Sequence, residues 1–324
     1  RGWSYRYSEL ADNTNIDSNL THFPIPIFLG DSVGQGNTDI SAIFDEVGSN
    51  WQKIAVTKDD GTTQLYVEKE KWDSTGEDAV LWVSKSDLTL SSGSTTTLYF
   101  YYDNDQSDNT TYVGDIGSRT EVWDSNYAGV WHLAETSGSF TDSTINSHNG
   151  SDNISASDKS GKIGSGQEFD GGNDYINFGV RSEFSNPELH LSTWVNLDDS
   201  GGLILELAEP GRGGEGGYTV EKNIKGRTRD WGTGAVASTG SGQINVWQKI
   251  DFRFEIGVTQ ELFLDGVTTG DVETPDNFNI ETDEPLYTGY PTDPRGVGYL
   301  DGHMDELRVF SVYRYDAWVK ASYY

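Results

Sequence analysis

Short apolar segments separated by turn residues fill the first hundred positions of the chain, and they show no helical stripe. Two prolines in Phe23–Leu29 predict an edge strand, and Asp60-Gly61 predicts a hairpin turn. Further strands are expected at Asp39–Phe44, Lys53–Thr57, Gln64–Trp72, Ala79–Ser84 and Thr95–Tyr102. Strands recurring at this spacing predict an all-β sandwich.

The second half of the chain alternates apolar and polar residues more strictly. In Val246–Ile256 the apolar residues Phe252 and Phe254 alternate with Asp251 and Arg253, and Leu189–Leu197 alternates in the same way. Such strands are expected to have one face in a core and the other in water. Glu261–Val267 predicts a hairpin, and Gly298–Tyr313 predicts a closing strand that follows a bend at Asp301-Gly302.

A polar, turn-rich stretch at Asp103–Asp124 separates the two halves. The predicted fold class is all-β, with two β-sandwich (jelly-roll) domains in series. Their predicted bounds are residues 1–115 and 125–324, joined by a linker at 116–124.

Motifs in the second half resemble laminin-G-like modules, which have the concanavalin A-like fold. The motifs follow the order typical of these modules: YAGVWHL (127–133), DSTIN (142–146), NG (149–150), GKIG (161–164), QEFDGGNDYINF (167–178) and GYLDGHMDELRVFSVY (298–313). The resemblance covers about residues 125–324 and implies a lectin-like sandwich.

The first half resembles a domain of unknown function that often precedes laminin-G-like modules in archaeal and bacterial surface proteins. The resemblance is carried by WSYR (3–6), TDI (38–40), DG (60–61) before LY (65–66), Glu70 near Trp72, LWV (81–83) and YYDN (101–104). The resemblance implies an accessory domain at a cell surface, and it does not assign a function to that domain.

Charge and composition exclude several classes of function. The chain has 22 Lys and Arg against 52 Asp and Glu, a net charge of −30 and a pI near 4.2. Nucleic-acid binding needs clustered positive charge, so no nucleic-acid partner is expected. No apolar run is long enough to insert into a membrane. The acids are spread along the whole chain, which favours a surface adapted to high salt over a set of cation sites.

The absence of cysteine excludes disulfides and thiolate ligands.

Calcium is the one cofactor that the sequence suggests, in a structural role. Ca²⁺ takes six to eight oxygen ligands, and laminin-G-like modules often hold a calcium ion near the rim of the sandwich. The candidate ligands at turns and strand ends are Asp142, Asn146, Asp170, Asp174, Asp301 and Asp305. The alternative is that these residues form turns by bonding their own backbone.

Two segments have the composition of a sugar-binding site. One is the glycine-rich stretch 210–242, with Arg227, Arg229 and Trp231, and the other is 287–299, with Tyr290 and Arg295. Exposed aromatic rings beside arginines suit a glycan, but they suit an oligomer contact or an ordered loop equally well.

Catalysis is not expected, and no catalytic residue is assigned. Glycoside hydrolases on this fold place two carboxylates on one strand face, and a bend at Gly302 would separate Asp301 from Asp305. The histidines lack metal-ligand spacing, and no Gly-x-Ser-x-Gly motif is present.

The sequence therefore predicts an extracellular recognition or adhesion module, at a cell surface or on a virion. Its partner would be a cell-surface glycan or glycoprotein, in an archaeal or other high-salt organism or in a virus that infects one. The alternative is a structural protein that self-associates, such as a virion fibre, turret or tail component or a surface-filament subunit. A glycoside hydrolase-like enzyme is a more distant alternative.

Overall fold

The computed structural model describes residues 2–34, 36–199, 202–208, 216–221, 223–229, 236–240, 242–290 and 298–324, with only the backbone at 9, 10, 236 and 237. Two compact units divide the chain. The first comprises residues 1–125 and 143–145, and the second comprises residues 126–142 and 146–324. Strands account for 44% of the described residues and helices for 6%, so the all-β prediction is confirmed.

The first unit is mainly β-structure with one short α-helix. Its elements are β1 (Tyr5–Ala11), β2 (Leu20–Thr21), β3 (Ile25–Leu29), α1 (Ala42–Val47), β4 (Ile54–Lys58), β5 (Tyr66–Asp73), β6 (Asp78–Ser84), β7 (Thr89–Leu90), β8 (Thr96–Tyr102), β9 (Val113–Asp115) and a 3-10 turn at Thr120–Val122.

The core of the first unit lies between two sheets, in the strand orders β1-β8-β4 and β3-β6-β5-β9. Val56 and Phe100 come from one sheet and Val67 and Leu81 from the other, and all four side chains are buried in one cluster. Strand β3 lies at a sheet edge, as its prolines predicted, because an edge strand tolerates a missing N–H donor.

The strand predicted at Asp39–Phe44 is wrong. Asp39 accepts hydrogen bonds from the backbone N and the Oγ of Ser41, and the chain then enters helix α1. Ile43, Phe44 and Val47 are buried on one side of this helix. Three apolar residues at helical spacing carried too little periodicity to be distinguished from a strand.

The predicted linker at 116–124 lies in the first unit. Its Trp123 donates a hydrogen bond from Nε1 to Glu68 Oε2 at 2.6 Å. The same indole packs on Trp82, with 5.6 Å between ring centroids. Much of this segment is therefore held by buried aromatic and polar contacts.

The second unit is the larger one. Its elements are β10 (Tyr127–Trp131), β11 (Ser151–Asn153), β12 (Gln167–Asp170), β13 (Tyr175–Asn177), a 3-10 turn at Ser182–Ser185, β14 (Glu188–Leu197), β15 (Leu203–Leu207), β16 (Gly217–Glu221), β17 (Lys225–Arg229), β18 (Val236–Thr239), β19 (Trp247–Glu255), β20 (Thr259–Leu264), β21 (Val267–Glu273), β22 (Tyr287–Thr288), β23 (Asp301–Phe310) and α2 (Asp316–Ala321).

Two large sheets enclose the core of the second unit. One has the order β10-β23-β14-β19-β20-β21, with β12 also paired to β23, and the other has the order β11-β13-β22-β15-β16-β17-β18. Leu191 and Phe252 from the first sheet and Leu205 and Tyr218 from the second are buried in one cluster. The predicted second sandwich is confirmed.

The closing strand differs from its prediction in one respect. Strand β23 already begins at Asp301 and runs through Gly302, so the two residues predicted to form a bend belong to the strand. Its irregularity lies further along, where the register with β14 shifts opposite Ser192–Trp194 and Glu306 adopts φ +52°. A bulge of this kind adds a residue without ending the strand.

The face of β19 that was predicted to be wet is buried. Lys249, Asp251 and Arg253 are each at most 2% exposed. The C-terminal segment packs on this side of the sheet, where Asp316 Oδ1 lies 2.5 Å from Arg253 Nη2 and Tyr323 stacks on Trp194. Among the described residues, no helix has the length and apolar composition needed to cross a lipid bilayer.

Substituting Gly226→Ala tests which side of β17 faces the core. A Cβ at this position would lie 2.2 Å from Cδ2 of Phe252, so the variant is expected to lower the free energy of unfolding by about 1–3 kcal/mol through overpacking. Chemical denaturation measures the loss. Gly298→Ala is the control, because a Cβ there meets nothing within 4 Å. Equal losses in the two variants would contradict the assignment.

Candidate ligand-binding face of the second unit

The sheet that contains β15, β16 and β17 directs alternate side chains away from the core. Tyr218 and Val220 of β16 are core residues, and Thr228 of β17 donates a hydrogen bond to Gln260 Oε1 on the opposite sheet. Because strand side chains alternate between faces, Thr219 and Arg227 point outward. This outward side is the candidate face.

Strand register places four residues in one line across this face. Tyr287 of β22 lies opposite Glu206 of β15, Glu206 lies opposite Thr219 of β16, and Thr219 lies opposite Arg227 of β17. Residues directly opposite each other share a face. These four residues are the polar row, and three inter-strand steps make it about 14 Å long.

The middle of the polar row is buried polar structure. Glu206 is 1% exposed and Thr219 is 5% exposed. The Thr219 hydroxyl has no hydrogen-bond partner in the part of the chain that the structure describes. Buried polar atoms in native proteins are nearly always hydrogen-bonded, so this hydroxyl is an exception among the described residues.

Four half-buried tyrosines form a tyrosine cluster at one end of the row: Tyr175, Tyr287, Tyr290 and Tyr299. Tyr290 is central, with ring centroids 4.9 Å from Tyr175, 5.1 Å from Tyr287 and 5.8 Å from Tyr299. Burial raises the pKa of Tyr287 and of Tyr299 above the ordinary value. Both phenols are therefore neutral hydrogen-bonding groups at physiological pH.

Positive charge lies at the other end of the row, on β17. Lys225, Arg227 and Arg229 alternate with Gly226 and Thr228, so all three cations share the outward face. Arg227 is ion-paired with Glu221 of β16 at 2.7 Å between Nη2 and Oε1. This pair fixes the guanidinium in place at the end of the row.

Of the five predicted ligand-binding residues, the structure places Arg227 and Arg229 on β17 and Tyr290 two residues after β22 of the same sheet. Trp231 and Arg295 lie outside the described residues. Sequence reasoning missed Tyr175, Glu206 and Thr219, which come from three strands that are distant in sequence. The only sequence feature that pointed to these residues was the alternation within β13, β15 and β16. Alternation shows which residues of one strand share a face, but it cannot show how strands pair.

Five of the six predicted calcium ligands make hydrogen bonds within the protein. Asp174 accepts from the backbone N of Ser155, Ala156 and Asp170 and from the Ser155 hydroxyl. Asp305 Oδ2 accepts from the backbone N of Lys162 and of Ile163, both at 2.7 Å. These two carboxylates hold loops against the strands.

Asp142 and Asn146 are engaged in the same way. The carboxylate of Asp142 accepts from the backbone N of Val130 at 3.0 Å and of His148 at 2.8 Å. The side-chain amide of Asn146 donates to the carbonyl oxygens of Tyr127 and Ala128. Both residues tie the 142–148 turn to β10.

Asp170 lies close to both Asp301 and Asp174, and its backbone N donates to the Asp174 carboxylate. Asp170 and Asp301 lie directly opposite each other on β12 and β23. Asp170 Oδ1 accepts hydrogen bonds from the backbone N of Gly172 and Asn173, which form the turn after β12. Partial burial and the charges of Asp198, Asp199 and Asp170 raise the pKa of Asp301. Calcium binding by the six residues stays a prediction, and the facing carboxylates of Asp170 and Asp301 suit a cation.

Comparison with known proteins adds a family match and several distant structural likenesses. Residues 170–320 match the profile of the concanavalin A-like lectin/glucanases superfamily. No curated protein matches the chain at a significant level.

Three solved structures illustrate the likenesses. Domain 4 of AbnA, a GH43 extracellular arabinanase from Geobacillus stearothermophilus solved with arabinotriose, is 13% identical with a TM-score of 0.47, over 60% of this chain and 97% of that one. The binding domain of Paraclostridial Mosquitocidal Protein 1 is 12% identical with a TM-score of 0.48, over 61% and 52%. The botulinum neurotoxin serotype D binding domain is 11% identical with a TM-score of 0.46, over 61% and 51%.

This chain spans about half the length of the two toxin binding domains. The three TM-scores are below 0.5, so the assignment comes from the family match. Residues 170–320 of the chain are a concanavalin A-like domain, the laminin-G-like module that the sequence predicted.

Proposed function

We propose that the second unit is a non-catalytic module that binds a glycan or glycoprotein on its outward sheet face. The observation that carries this proposal is the polar row joined to the tyrosine cluster. Aromatic rings present large apolar surfaces with a polar tip, which suits the apolar face and the hydroxyl groups of a sugar ring. The half-buried Arg227 supplies a planar donor at the other end of the row.

The position of these residues on strands supports the proposal. Glu206, Thr219 and Arg227 belong to three neighbouring strands of one sheet, so the backbone ladder sets their spacing. Sites built on strands hold their geometry more closely than sites on loops. The ladder therefore fixes the positions of Tyr287 and Arg227 at the two ends of the row.

The non-catalytic part of the proposal rests on how the nearby carboxylates are used. Asp301 and Asp305 are on the same strand, but the Asp305 carboxylate anchors a loop. Glu206 and Glu221 lie diagonally on the candidate face, where Glu221 is ion-paired with Arg227. Incubation with a bound glycan tests the non-catalytic assignment. Release of a sugar product that is lost in Glu206→Gln would contradict it.

We also propose that the protein works outside the cell or on a virion, in a high-salt setting. The support is its net charge of −30, because high salt screens the self-repulsion of such a surface. Binding experiments therefore belong in molar KCl.

Assembly into a surface filament or virion is a second proposal, favoured by one observation. Strand β21 is last in its sheet order, and its Val267 and Val272 are 64% and 57% exposed. Exposed edge strands pair readily with other chains. Sedimentation in molar KCl tests this function, and a monomer at high protein concentration would contradict it.

Tyr287→Ala is expected to weaken glycan binding at least tenfold, about 1.4 kcal/mol, because it removes a ring from both the row and the cluster. A glycan array followed by calorimetry on the best ligand measures the change. Tyr324→Ala is the control, since Tyr324 is 70% exposed at the C-terminus. Folded protein that binds no glycan, or a Tyr287→Ala variant with full affinity, would contradict the proposed site.

Calcium binding stays a prediction, and Asp301→Asn tests it. The pKa of Asp301 is raised in the folded state, so its ionised form destabilises the fold above that pKa. Without calcium the variant should be more stable than the native protein at pH 7, and the difference should disappear as the pH falls below the ordinary value of 3.8.

Calcium should raise the melting temperature of the native protein and leave that of Asp301→Asn unchanged. Asp276→Asn is the control, because Asp276 is an exposed carboxylate of the same unit. An equal calcium response in all three proteins, or no response in any, would show that Asp301 is not a calcium ligand.

A further inference from the structure

Four asparagines of the chain lie in Asn-x-Ser/Thr sequons, the acceptor sequence for N-linked glycans. They are Asn19, Asn109, Asn149 and Asn153. A sequon is short enough to arise by chance in a polar chain, so it marks a modification site only where the folded protein has room for a bulky glycan. The surroundings of each side-chain amide therefore distinguish the four.

Asn109 has no room for a glycan in the folded first unit. Its side chain is half-buried, and Nδ2 donates to the carbonyl oxygen of Ile54 at 3.0 Å and to Gln64 Oε1 at 2.8 Å. Both hydrogens of Nδ2 are thus in use. A glycan replaces one of them, so attachment would break one of the two bonds that hold Asn109 in place.

Asn19 and Asn149 are exposed, but their side-chain oxygens hold local structure. Asn19 Oδ1 accepts a hydrogen bond from the backbone N of Ser92 at 3.0 Å, and Asn149 Oδ1 accepts one from the backbone N of Asp142 at 2.9 Å. Each amide plane is therefore fixed by its neighbour, and a glycan on either residue would have to fit beside the segment that holds it.

Asn153 differs from the other three. It is the exposed last residue of β11, and its side chain makes no hydrogen bond to any described residue. Strand β11 is the first in its sheet order, so one of its edges has no neighbouring strand among the described residues. The amide therefore projects from a strand at the sheet edge, where a bulky group has room.

The register places Asn153 on the candidate face. Asn153 lies directly opposite Tyr175 of β13, and the next residue of that strand, Ile176, is a core residue. Since side chains alternate along a strand, Tyr175 and Asn153 both point away from the core. Directly opposite residues have Cβ atoms about 4.5–5.5 Å apart. A sugar on Asn153 would thus begin beside the Tyr175 ring, whose centroid is 4.9 Å from that of Tyr290.

The two residues after Asn153 anchor the sequon to the folded unit. Ile154 packs against the core cluster, and the Ser155 hydroxyl donates to Asp174 Oδ1 at 2.8 Å. Because a sequon is recognised through both its asparagine and its hydroxyl residue, transfer has to precede this anchoring. The fold then holds Ile154 and Ser155 against the unit and leaves the modified amide outside.

We propose that Asn153 carries an N-linked glycan whose first sugar lies beside Tyr175, at the edge of the tyrosine cluster. This inference goes beyond the proposed function and uses only the extracellular setting proposed with it. Transfer forms a bond between Asn153 Nδ2 and C1 of an oligosaccharide supplied on a lipid phosphate or diphosphate carrier. The C1–O bond to the carrier breaks, the carrier phosphate keeps the electron pair, and Nδ2 loses one proton.

A glycan at this position also shields a sheet edge. The three residues of β11 are all exposed, and exposed edge strands pair readily with other chains unless something covers them. A bulky, solubilising group on the last residue of the strand would obstruct the approach of a further strand.

Translation of the full chain, behind a cleavable signal peptide, into microsomes that perform N-glycosylation tests the site. The translocated chain is digested, and its glycopeptides are mapped by mass spectrometry. A glycan on Asn153, with Asn109 bare in the protease-resistant folded fraction, is the expected result. A bare Asn153 in the translocated chain, or a glycan on Asn109 in the folded fraction, would overturn the inference. Because occupancy is read as mass, either outcome would leave the proposed ligand-binding function intact.

Variants at Ser155 separate use of the sequon from changes in the fold. Ser155→Thr keeps the sequon and should keep the glycan, whereas Ser155→Ala removes the sequon and should leave Asn153 bare. Asn109→Gln is the matched control, because it removes a different sequon and should leave the glycan on Asn153 unchanged. A glycan on Asn153 that persists in Ser155→Ala would show attachment independent of the sequon and overturn the inference.

Thermal unfolding of the modified and unmodified chains in molar KCl tests the position beside Tyr175. A sugar–ring contact as strong as an aromatic pair should raise the melting temperature by about 2–4 °C, and Tyr175→Ala should remove most of that rise. Tyr313→Ala is the matched control and should keep the rise, because this half-buried tyrosine packs on Arg253 of the other sheet. An equal rise in all three proteins, or none in any, would overturn the placement beside Tyr175.

Discussion

Strand β23 has hydrogen-bonded partners along both edges, and the arrangement of the second unit depends on this. It pairs with β14 on one side and with β10 and β12 on the other. A slip of one residue would exchange its core and surface side chains, so its register fixes three other strands. The bulge at Glu306 lets one strand satisfy both edges, and the Glu306 side chain bonds His132 and Arg308.

Burial of charge on the outer side of that sheet follows from the same arrangement. Asp251 accepts hydrogen bonds from Lys249 Nζ at 2.6 Å and from His190 Nε2 at 2.9 Å, and all three residues are buried. Burial lowers the pKa of Lys249, and it lowers that of His190 to about 4. Removing one partner from a buried ion pair is strongly destabilising. The bond between His190 and Asp251 joins β14 to β19, so it favours the observed alignment of these two strands.

Alternation in the sequence predicted which residues share a face, and it did so well for β14, β19 and β23. It could not predict what covers a face, and Lys249 and Arg253 were therefore expected in water. Arg227, Arg229 and Tyr290 were identified by residue type, because arginines are rare here and tyrosines suit sugars. Their shared sheet, and the contribution of Thr219, depend on pairing between distant strands. Most of the calcium candidates make the local hydrogen bonds that Asp and Asn favour at turns, which residue type alone could not distinguish from a cation site.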